Sequence, residues 1–405
     1  MNLLKSVSTI AGSSVLSQVI GALSIWLISH KYNMAEVGAY ALNYSIVLVG
    51  AQVCTFASQL LIPKQPDDAL AQSVVFSTLQ SLIIAVPYAA LTAWLFQQNG
   101  YFLYLLTLAY ALVLIAENLS LRAGNYRFLA FQRLSVSTVV VLSVVLTSHP
   151  AAFYWAWAWA CAMLVLISGC IVHSFAIHTI TFRHFSPRRN LAFLLEHAHH
   201  LTRVGSAEVL AMVNSNLPIM LINFWFSSLT AGYFSVVSRF CLSPVVIIGN
   251  AVRHSIFSSW SADFRHKRFN YDEFRKVRLM LLVSGIVCTL GVFIFYPLVM
   301  TTFFSEEWID SIPTSRYMLP YLFPSLAVCP LTVIELLFGS HRYFLRIQLE
   351  QLMIVFIAFV LVPYCYPHYA TSLIIFSVLT LIRYAFIYLT VNKRAGLLKK
   401  TMMAS

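Results

Sequence analysis

Charged residues are scarce in this chain: Asp, Glu, Lys and Arg together make up 10% of its 405 residues. Water-soluble domains carry about 25%, so a soluble enzyme or a soluble binding module is excluded. Acidic residues are the scarcer kind, with 14 Asp and Glu against 26 Lys and Arg. In so apolar a chain the basic excess is better explained by topology signals at helix ends than by nucleic-acid binding. No nucleic-acid partner is therefore expected.

Cysteine motifs are also missing. The seven cysteines fall within or at the ends of apolar runs, and none forms a CxxC pair. We therefore predict neither a disulfide nor a metal site, and no cofactor. His197, His199 and His200 form a histidine-rich stretch without a carboxylate or cysteine spaced to complete a metal site, which favours solvated interfacial histidines. No signal-peptide pattern stands apart from the first apolar run, so we expect no removable leader.

What the chain has in abundance is long apolar runs. Hydrophobic residues make up 60% of it, and a run of about 20 such residues crosses a hydrocarbon core of ~30 Å. The pattern predicts an all-α polytopic membrane protein. Its twelve predicted transmembrane helices are 6–29, 38–62, 70–96, 101–118, 134–148, 151–174, 204–228, 231–253, 279–303, 318–338, 348–364 and 370–391.

The distribution of basic residues among the loops predicts the direction in which the chain inserts into the membrane. Twelve is an even number, so both termini lie on the same side. Placing the N-terminus inside puts nearly all of the 26 basic residues in internal segments, as the positive-inside rule requires. We predict that both termini are cytoplasmic.

The longest break between spans divides the chain into two lobes. The prediction is an N-terminal lobe of helices 1–6 (1–174), a cytoplasmic connecting loop (175–203) and a C-terminal lobe of helices 7–12 with a short basic tail (204–405). Two six-helix halves are typical of transporters with a central cavity. No loop is long enough to fold a catalytic domain, so we expect a non-enzyme.

An arginine inside the eighth span is the first candidate for substrate contact. Arg239 lies ~12 Å from the outer end of that span by helical rise. On a regular helix it shares a narrow sector with Asn250 and Arg253, which predicts a polar stripe facing a cavity. The alternative is a structural ion pair with Glu208 or Glu335. Both carboxylates lie near inner helix ends, and this poor match in depth favours substrate contact.

Other polar residues within spans extend the candidate set. Arg383, in the twelfth span, contacts either the cavity or, by snorkelling, the inner headgroups. Asn216 and Asn223 share a face of the seventh span, and Gln52 adds an amide to the first lobe. Amides suit hydroxyl-rich ligands such as sugars, and hydrogen bonding between helices is the alternative. The carboxylates that could couple transport to H⁺ or Na⁺ are Glu117, Glu208 and Glu335.

Three stretches resemble a known family. After the first span comes "LISHKYNMAEVGAYAL", with Lys31 before Gly38 and Tyr40; after the fourth comes "LSLRAGNYRFLAFQRL". The eighth span begins "AGYFSVVSRFCLSPVVIIGNAVR", a Gly-Tyr, a short spacer, Arg239 and a proline-containing stretch. These patches are similar to the corresponding segments of Wzx-type polysaccharide flippases, which belong to the multidrug/oligosaccharidyl-lipid/polysaccharide exporter (MOP) superfamily.

The resemblance implies a fold and a function. The fold is two six-helix lobes forming a V around a central cavity. The function is translocation of undecaprenyl-diphosphate-linked oligosaccharide repeat units, for O-antigen or capsule, across the bacterial inner membrane, with a glycan polymerase and a chain-length regulator as further partners. Matched to the motifs, Arg239 and then Lys31 would bind the diphosphate, since a guanidinium offers a forked set of donors to phosphate.

Two other functions compete with this one. A cation-coupled multidrug exporter of the same fold would need an acidic site in the membrane, and helices 1–3 offer none. A membrane enzyme acting on lipid-linked glycans would need a catalytic base or a large outer loop, and the outer loops are short. The embedded arginines favour an anionic substrate over a cationic one.

Overall fold

The computed structural model describes residues 3–176, 181–242, 245, 248–249, 252–253, 256, 260, 269–304, 306–332, 334 and 341–403. Throughout these ranges the chain is helical or in short connections, with no strand, which confirms the all-α prediction. The α-helices, in chain order, are α1 Leu3–Lys31, α2 Met34–Thr55, α3 Asp67–Phe96, α4 Gly100–Arg122, α5 Tyr126–Leu146, α6 Pro150–Ala176, α7 Pro187–His200, α8 Ser206–Trp225, α9 Ser228–Val237, α10 Tyr271–Phe303, α11 Glu306–Ile309, α12 Ile312–Tyr317, α13 Leu319–Ala327, α14 His341–Phe356, α15 Val362–Cys365 and α16 Tyr369–Met403.

Ten helical segments among the described residues are long and apolar enough to cross a membrane. The two remaining predicted spans, 231–253 and 318–338, are interrupted where they are described. The first passes from α9 into a π-helical turn at Ser238–Leu242, and the second is divided between α13 and a 3₁₀ turn at Cys329–Thr332. Prolines break the second span, since each removes a backbone donor. The architecture is that of a multi-pass membrane protein and is consistent with twelve spans.

Several helix boundaries differ from the sequence prediction, for example the start of α10 at Tyr271 rather than at 279. Two others have a clear local cause. α5 begins at Tyr126 rather than at 134, because Arg127 and Arg133 lower the hydropathy of a segment that is nevertheless helical. α2 ends at Thr55 rather than at 62. There Phe56 and Ala57 adopt left-handed backbone angles, with φ of 43° and 61°, which no α-helix can continue through.

Asparagine side chains begin several of the helices. Asn33 Oδ1 accepts from the Glu36 amide at 2.8 Å, Asn99 Oδ1 from the Tyr101 amide at 3.0 Å, and Asn270 Oδ1 from the Glu273 amide at 3.1 Å. Each bond satisfies one of the amides that a helix start leaves unpaired, worth about 1 kcal/mol. These caps place the helix starts in spite of the uniformly apolar sequence.

The chain divides into two compact units, Met1–Met220 and Leu221–Ser405. In the first unit α1 packs on α5, and α4 packs on α2, α3 and α6. In the second unit α13 packs on α10 and α16. The predicted domain limits at 174 and 204 remain a prediction.

The segment predicted as a connecting loop is largely helical. α7, a π-helical turn at Leu201–Gly205 and α8 form one continuous helix, Pro187–Trp225. α7 packs on α3, with the Phe193 ring 5.0 Å from Phe76, and His197 Nε2 lies 2.6 Å from Gln65 Nε2. The connector is thus anchored on the first unit.

Three helices of the first unit approach one another closely at Gly50 of α2. A Cβ there would lie 2.4 Å from Cε1 of Tyr88 on α3 and 2.7 Å from Cγ2 of Thr107 on α4. The Tyr88 hydroxyl donates to the Ile46 carbonyl at 2.7 Å and holds the ring in place. Small residues at such crossings let helix backbones approach closely in membranes.

We expect Gly50→Ala to destabilise the first unit by about 1–3 kcal/mol, the usual cost of overpacking. The melting temperature of the purified protein in detergent measures this. Gly291→Ala on α10 is the matched control, because a Cβ at that position would meet no atom of the described residues within 4 Å and alanine favours helix. Equal melting temperatures for the two variants would contradict the close packing at Gly50.

Candidate functional site

Arg239 lies on the π-helical turn Ser238–Leu242, which continues α9. Its side chain is half-buried. The following residue, Phe240, packs edge-on against Phe304 and Trp308, with ring centroids 6.1 and 5.8 Å apart. This aromatic contact fixes the backbone that carries Arg239. π turns are rare and are frequent at functional sites.

The predicted polar stripe below Arg239 depends on regular helical spacing. A π turn widens the helix by one residue, so the phase of a regular helix is not kept through Ser238–Leu242. Arg253 is half-buried, while Asn250 lies outside the described residues. Alignment of Arg239, Asn250 and Arg253 therefore stays a prediction, and each is a separate candidate.

Arg383, on α16, is buried, with 8% of its surface exposed. Its Nη1 donates to Gln351 Oε1, and its Nε lies 3.9 Å from Glu350 Oε2, both on α14. Glu350 also accepts from Arg346 Nε at 2.7 Å. The guanidinium is thus held inside the second unit by a neighbouring helix, an arrangement that favours a structural role over snorkelling.

Lys31 ends α1 and is exposed. Its ammonium donates to the carbonyls of Val144 at 2.8 Å and Val145 at 2.9 Å, near the end of α5. The last carbonyls of a helix have no partner within it and carry the negative end of its dipole. Lys31 therefore caps α5, and this contact gives it a structural role beside the predicted one.

The candidate amides lie in different surroundings. Gln52 is 5% exposed, and its Nε2 makes no hydrogen bond within the described structure. Asn216 is buried and donates to the Met212 carbonyl at 2.9 Å, one turn back on α8. Asn223 donates to Ser228 Oγ at 3.2 Å, linking α8 to α9. Gln52 Nε2 therefore has both of its N–H donors unused within the described structure.

The three candidate carboxylates also differ in their surroundings. Glu117 on α4 pairs with Arg133 on α5. Glu208, in the first turn of α8, is exposed. Glu335 lies outside the described residues.

A polar cavity of about 190 Å³ lies in the first unit, lined by α1, α2, α4, α5 and Met212 of α8. The Glu117–Arg133 pair forms part of its wall, together with Gln132 and the side chains of Tyr44 and Tyr110. On the other side of α4, a larger apolar cavity of about 600 Å³ is lined by α3, α4 and α6. The two cavities share Val113.

Gln132, Arg133 and Tyr110 are lining residues that sequence reasoning missed. Arg133 falls in a predicted internal segment, and Gln132 lies outside the predicted fifth span. A signal was present, however: Glu117 and Arg133 stand at nearly equal distances on either side of the turn between α4 and α5. In an antiparallel helix pair such residues face each other, and opposite charges there predict an ion pair.

Comparison with models of known protein families shows which family the chain belongs to. The family model described as "Polysaccharide biosynthesis protein" matches residues 57–313. The chain belongs to this family. No curated protein matches its sequence.

Solved structures agree on the fold. The chain is similar to an inward-facing multidrug resistance MATE family transporter of the MOP superfamily, with TM-score 0.67, 14% identity and coverage of 95% of this chain and 96% of that one. It is also similar to the lipid II flippase MurJ in an inward closed conformation, with TM-score 0.70, 10% identity and coverage of 98% and 90%. A MOP superfamily transporter from Pyrococcus furiosus matches with TM-score 0.57, 15% identity and coverage of 97% and 95%. This member of the polysaccharide biosynthesis family therefore has the MOP fold.

Lys31→Met separates the two roles of Lys31. The variant loses both hydrogen bonds to α5, so we expect stability to fall by ~1 kcal/mol, reduced by solvent at an exposed ammonium. Lys64→Met is the control, because it removes an exposed charge that makes no side-chain hydrogen bond in the described part of the chain. A melting temperature of the Lys31 variant equal to that of the control would argue against capping of α5.

Proposed function

We propose that the protein translocates undecaprenyl-diphosphate-linked oligosaccharide repeat units from the cytoplasmic to the periplasmic leaflet of a bacterial inner membrane by alternating access. Its termini would be cytoplasmic, its coupling ion H⁺ or Na⁺, and its further partners a glycan polymerase and a chain-length regulator. It would act as a carrier rather than as an enzyme.

Family and fold together support this proposal. A polysaccharide biosynthesis protein that crosses the membrane many times has to act on glycan intermediates that are themselves in the membrane. Such intermediates carry their sugars on a lipid. The MOP fold is shared with a structure described as a lipid II flippase.

The position of Arg239 carries the substrate assignment. A diphosphate bears about two negative charges, and taking it through a poorly hydrated region requires fixed cations. Arg239 is half-buried in an apolar helix and cannot lose its charge. Its planar fork of donors matches phosphate oxygens in pairs.

A multidrug exporter is the second candidate function, and the likeness to a MATE transporter favours it. Such a protein would move organic cations. The half-buried Arg239 would repel a cationic drug, whereas it would attract a lipid diphosphate. The embedded charge therefore favours the flippase.

The test is binding of undecaprenyl diphosphate to the purified protein in nanodiscs, followed by translocation of the same lipid in proteoliposomes. We expect Arg239→Ala to weaken binding by roughly tenfold to hundredfold, the range for a charge-assisted hydrogen bond. Arg239→Lys should restore part of the loss, since it keeps the charge without the fork.

Arg275→Ala on α10 is the matched control, because that arginine is exposed and lies in the second turn of its helix. Unchanged binding by Arg239→Ala at normal melting temperature would remove Arg239 from the mechanism. Wild-type protein that exports ethidium under an H⁺ or Na⁺ gradient but binds no lipid diphosphate would support the multidrug exporter instead.

A further inference from the structure

The first-unit cavity that Glu117 and Arg133 help to line does not include Arg239 among its lining residues, and the proposed diphosphate site makes no use of it. We call it the α4–α5 pocket and define it by Tyr44, Tyr110, Glu117, Gln132 and Arg133, with a volume of about 190 Å³. Tyr110 lies ~18 Å, and Glu117 ~8 Å, from the Arg122 end of α4 by helical rise. The pocket therefore reaches the middle of a membrane-crossing helix.

The two charged side chains of the pocket, Glu117 and Arg133, pair with each other. Arg133 Nη2 pairs with Glu117 Oε1, and Arg133 Nη1 donates to Ser14 Oγ at 3.1 Å. Paired charges of opposite sign leave no net charge to select an anion. The carboxylate is engaged by the arginine and is not available to hold a bare cation. The α4–α5 pocket is thus suited to a neutral ligand.

Two buried groups in the pocket have hydrogen-bonding capacity to spare. Gln132 is 1% exposed, and its Nε2 donates to the Val113 carbonyl at 3.2 Å, while its Oε1 has no partner in the described structure. The hydroxyl of Tyr110, which is 6% exposed, lies near the indole of Trp157, but the two groups do not reach the geometry of a normal hydrogen bond. Buried polar groups are nearly always paired, so an acceptor and a hydroxyl left over in one cavity indicate an occupant.

The shape and the aromatic wall narrow the class of occupant. Tyr44 and Tyr110 meet edge to face, with ring centroids 6.0 Å apart, and both line the cavity. The volume is below the ~300–1,000 Å³ of pockets that take a drug-sized ligand, so there is room for one ring and not for a chain of rings. A sugar ring has an apolar face for an aromatic wall and hydroxyls that both donate and accept.

We infer that the α4–α5 pocket binds one neutral sugar residue of the glycan head, with Gln132 Oε1 accepting from a sugar hydroxyl and the Tyr110 hydroxyl bonding to another. This inference rests on the proposed function, because it supposes a lipid-linked glycan as substrate. It adds recognition of the sugar to the proposed function.

The experiment compares two kinds of probe on the full-length protein in nanodiscs: bare undecaprenyl diphosphate and undecaprenyl diphosphate carrying a single glucose, galactose or N-acetylglucosamine. We expect the wild-type protein to bind at least one of the sugar-bearing lipids roughly tenfold more tightly than the bare lipid. Tyr110→Phe should reduce this preference by about threefold to tenfold, the effect of one hydrogen bond, and should leave binding of the bare lipid unchanged.

Stability separates the sugar contact from a structural role. The Tyr110 hydroxyl makes no hydrogen bond to the described residues, so its removal should not lower the melting temperature. Thr107→Val is the matched control, since Thr107 on α4 also has a buried hydroxyl without a described partner and lies outside the pocket. It should leave the preference for the sugar-bearing lipid intact.

The outcomes distinguish the two proposals. If the wild-type protein binds no lipid diphosphate, the proposed function fails. If it binds the bare and all sugar-bearing lipids equally, or if Tyr110→Phe keeps the full preference, the pocket holds only water and this inference fails while the proposed function stands.

Discussion

Polar groups in this protein must find their partners within the protein, because the hydrocarbon core offers no water. The ends of helices are where this constraint acts most strongly, and long side chains meet it. Lys31 caps the last carbonyls of α5, and Gln80 donates to the carbonyls of Cys54 and Thr55, where α2 ends. Arg122 reaches the carbonyls of Ile62 and Gln65 in the turn between α2 and α3. Many of the polar side chains that a sequence would suggest for ligand binding therefore form hydrogen bonds with backbone carbonyls.

The same constraint applies to arginines that lie within helices. Arg383 and Arg133 are each held by a side chain of a neighbouring helix, Gln351 in one case and Glu117 in the other. Arg239 lies on a π-helical turn whose next residue, Phe240, is anchored among aromatic rings. A side chain whose backbone is already fixed loses less conformational entropy when it meets a ligand. This placement, more than depth alone, distinguishes Arg239 as a candidate for contact with phosphate.

Hydropathy predicted most of the fold, because length and apolarity suffice to identify a transmembrane helix. It failed where local chemistry overrides composition. The start of α5 at Tyr126 was missed because Arg133 has its partner on the adjacent helix, which a sliding average does not register. The end of α2 was missed because nothing in the sequence around Phe56 marks a left-handed turn at two residues that are not glycine. For the site, embedded charge makes Arg239 a candidate from the sequence, and its role stays a prediction. The α4–α5 pocket depends on which faces of four helices meet, and this information is absent from any single segment.

The continuous helix Pro187–Trp225 has a mechanical consequence. At 39 residues it is ~58 Å long, nearly twice what a ~30 Å hydrocarbon core requires, so a substantial part of it lies outside that core. Its first half is attached to α3 through Phe193 and to the turn before α3 through His197. The segment that the sequence predicts as a connecting loop is therefore largely helical, and the first half of the helix is held against α3. The continuous helix contains two places where a helix can bend, the π-helical turn Leu201–Gly205 and Pro218.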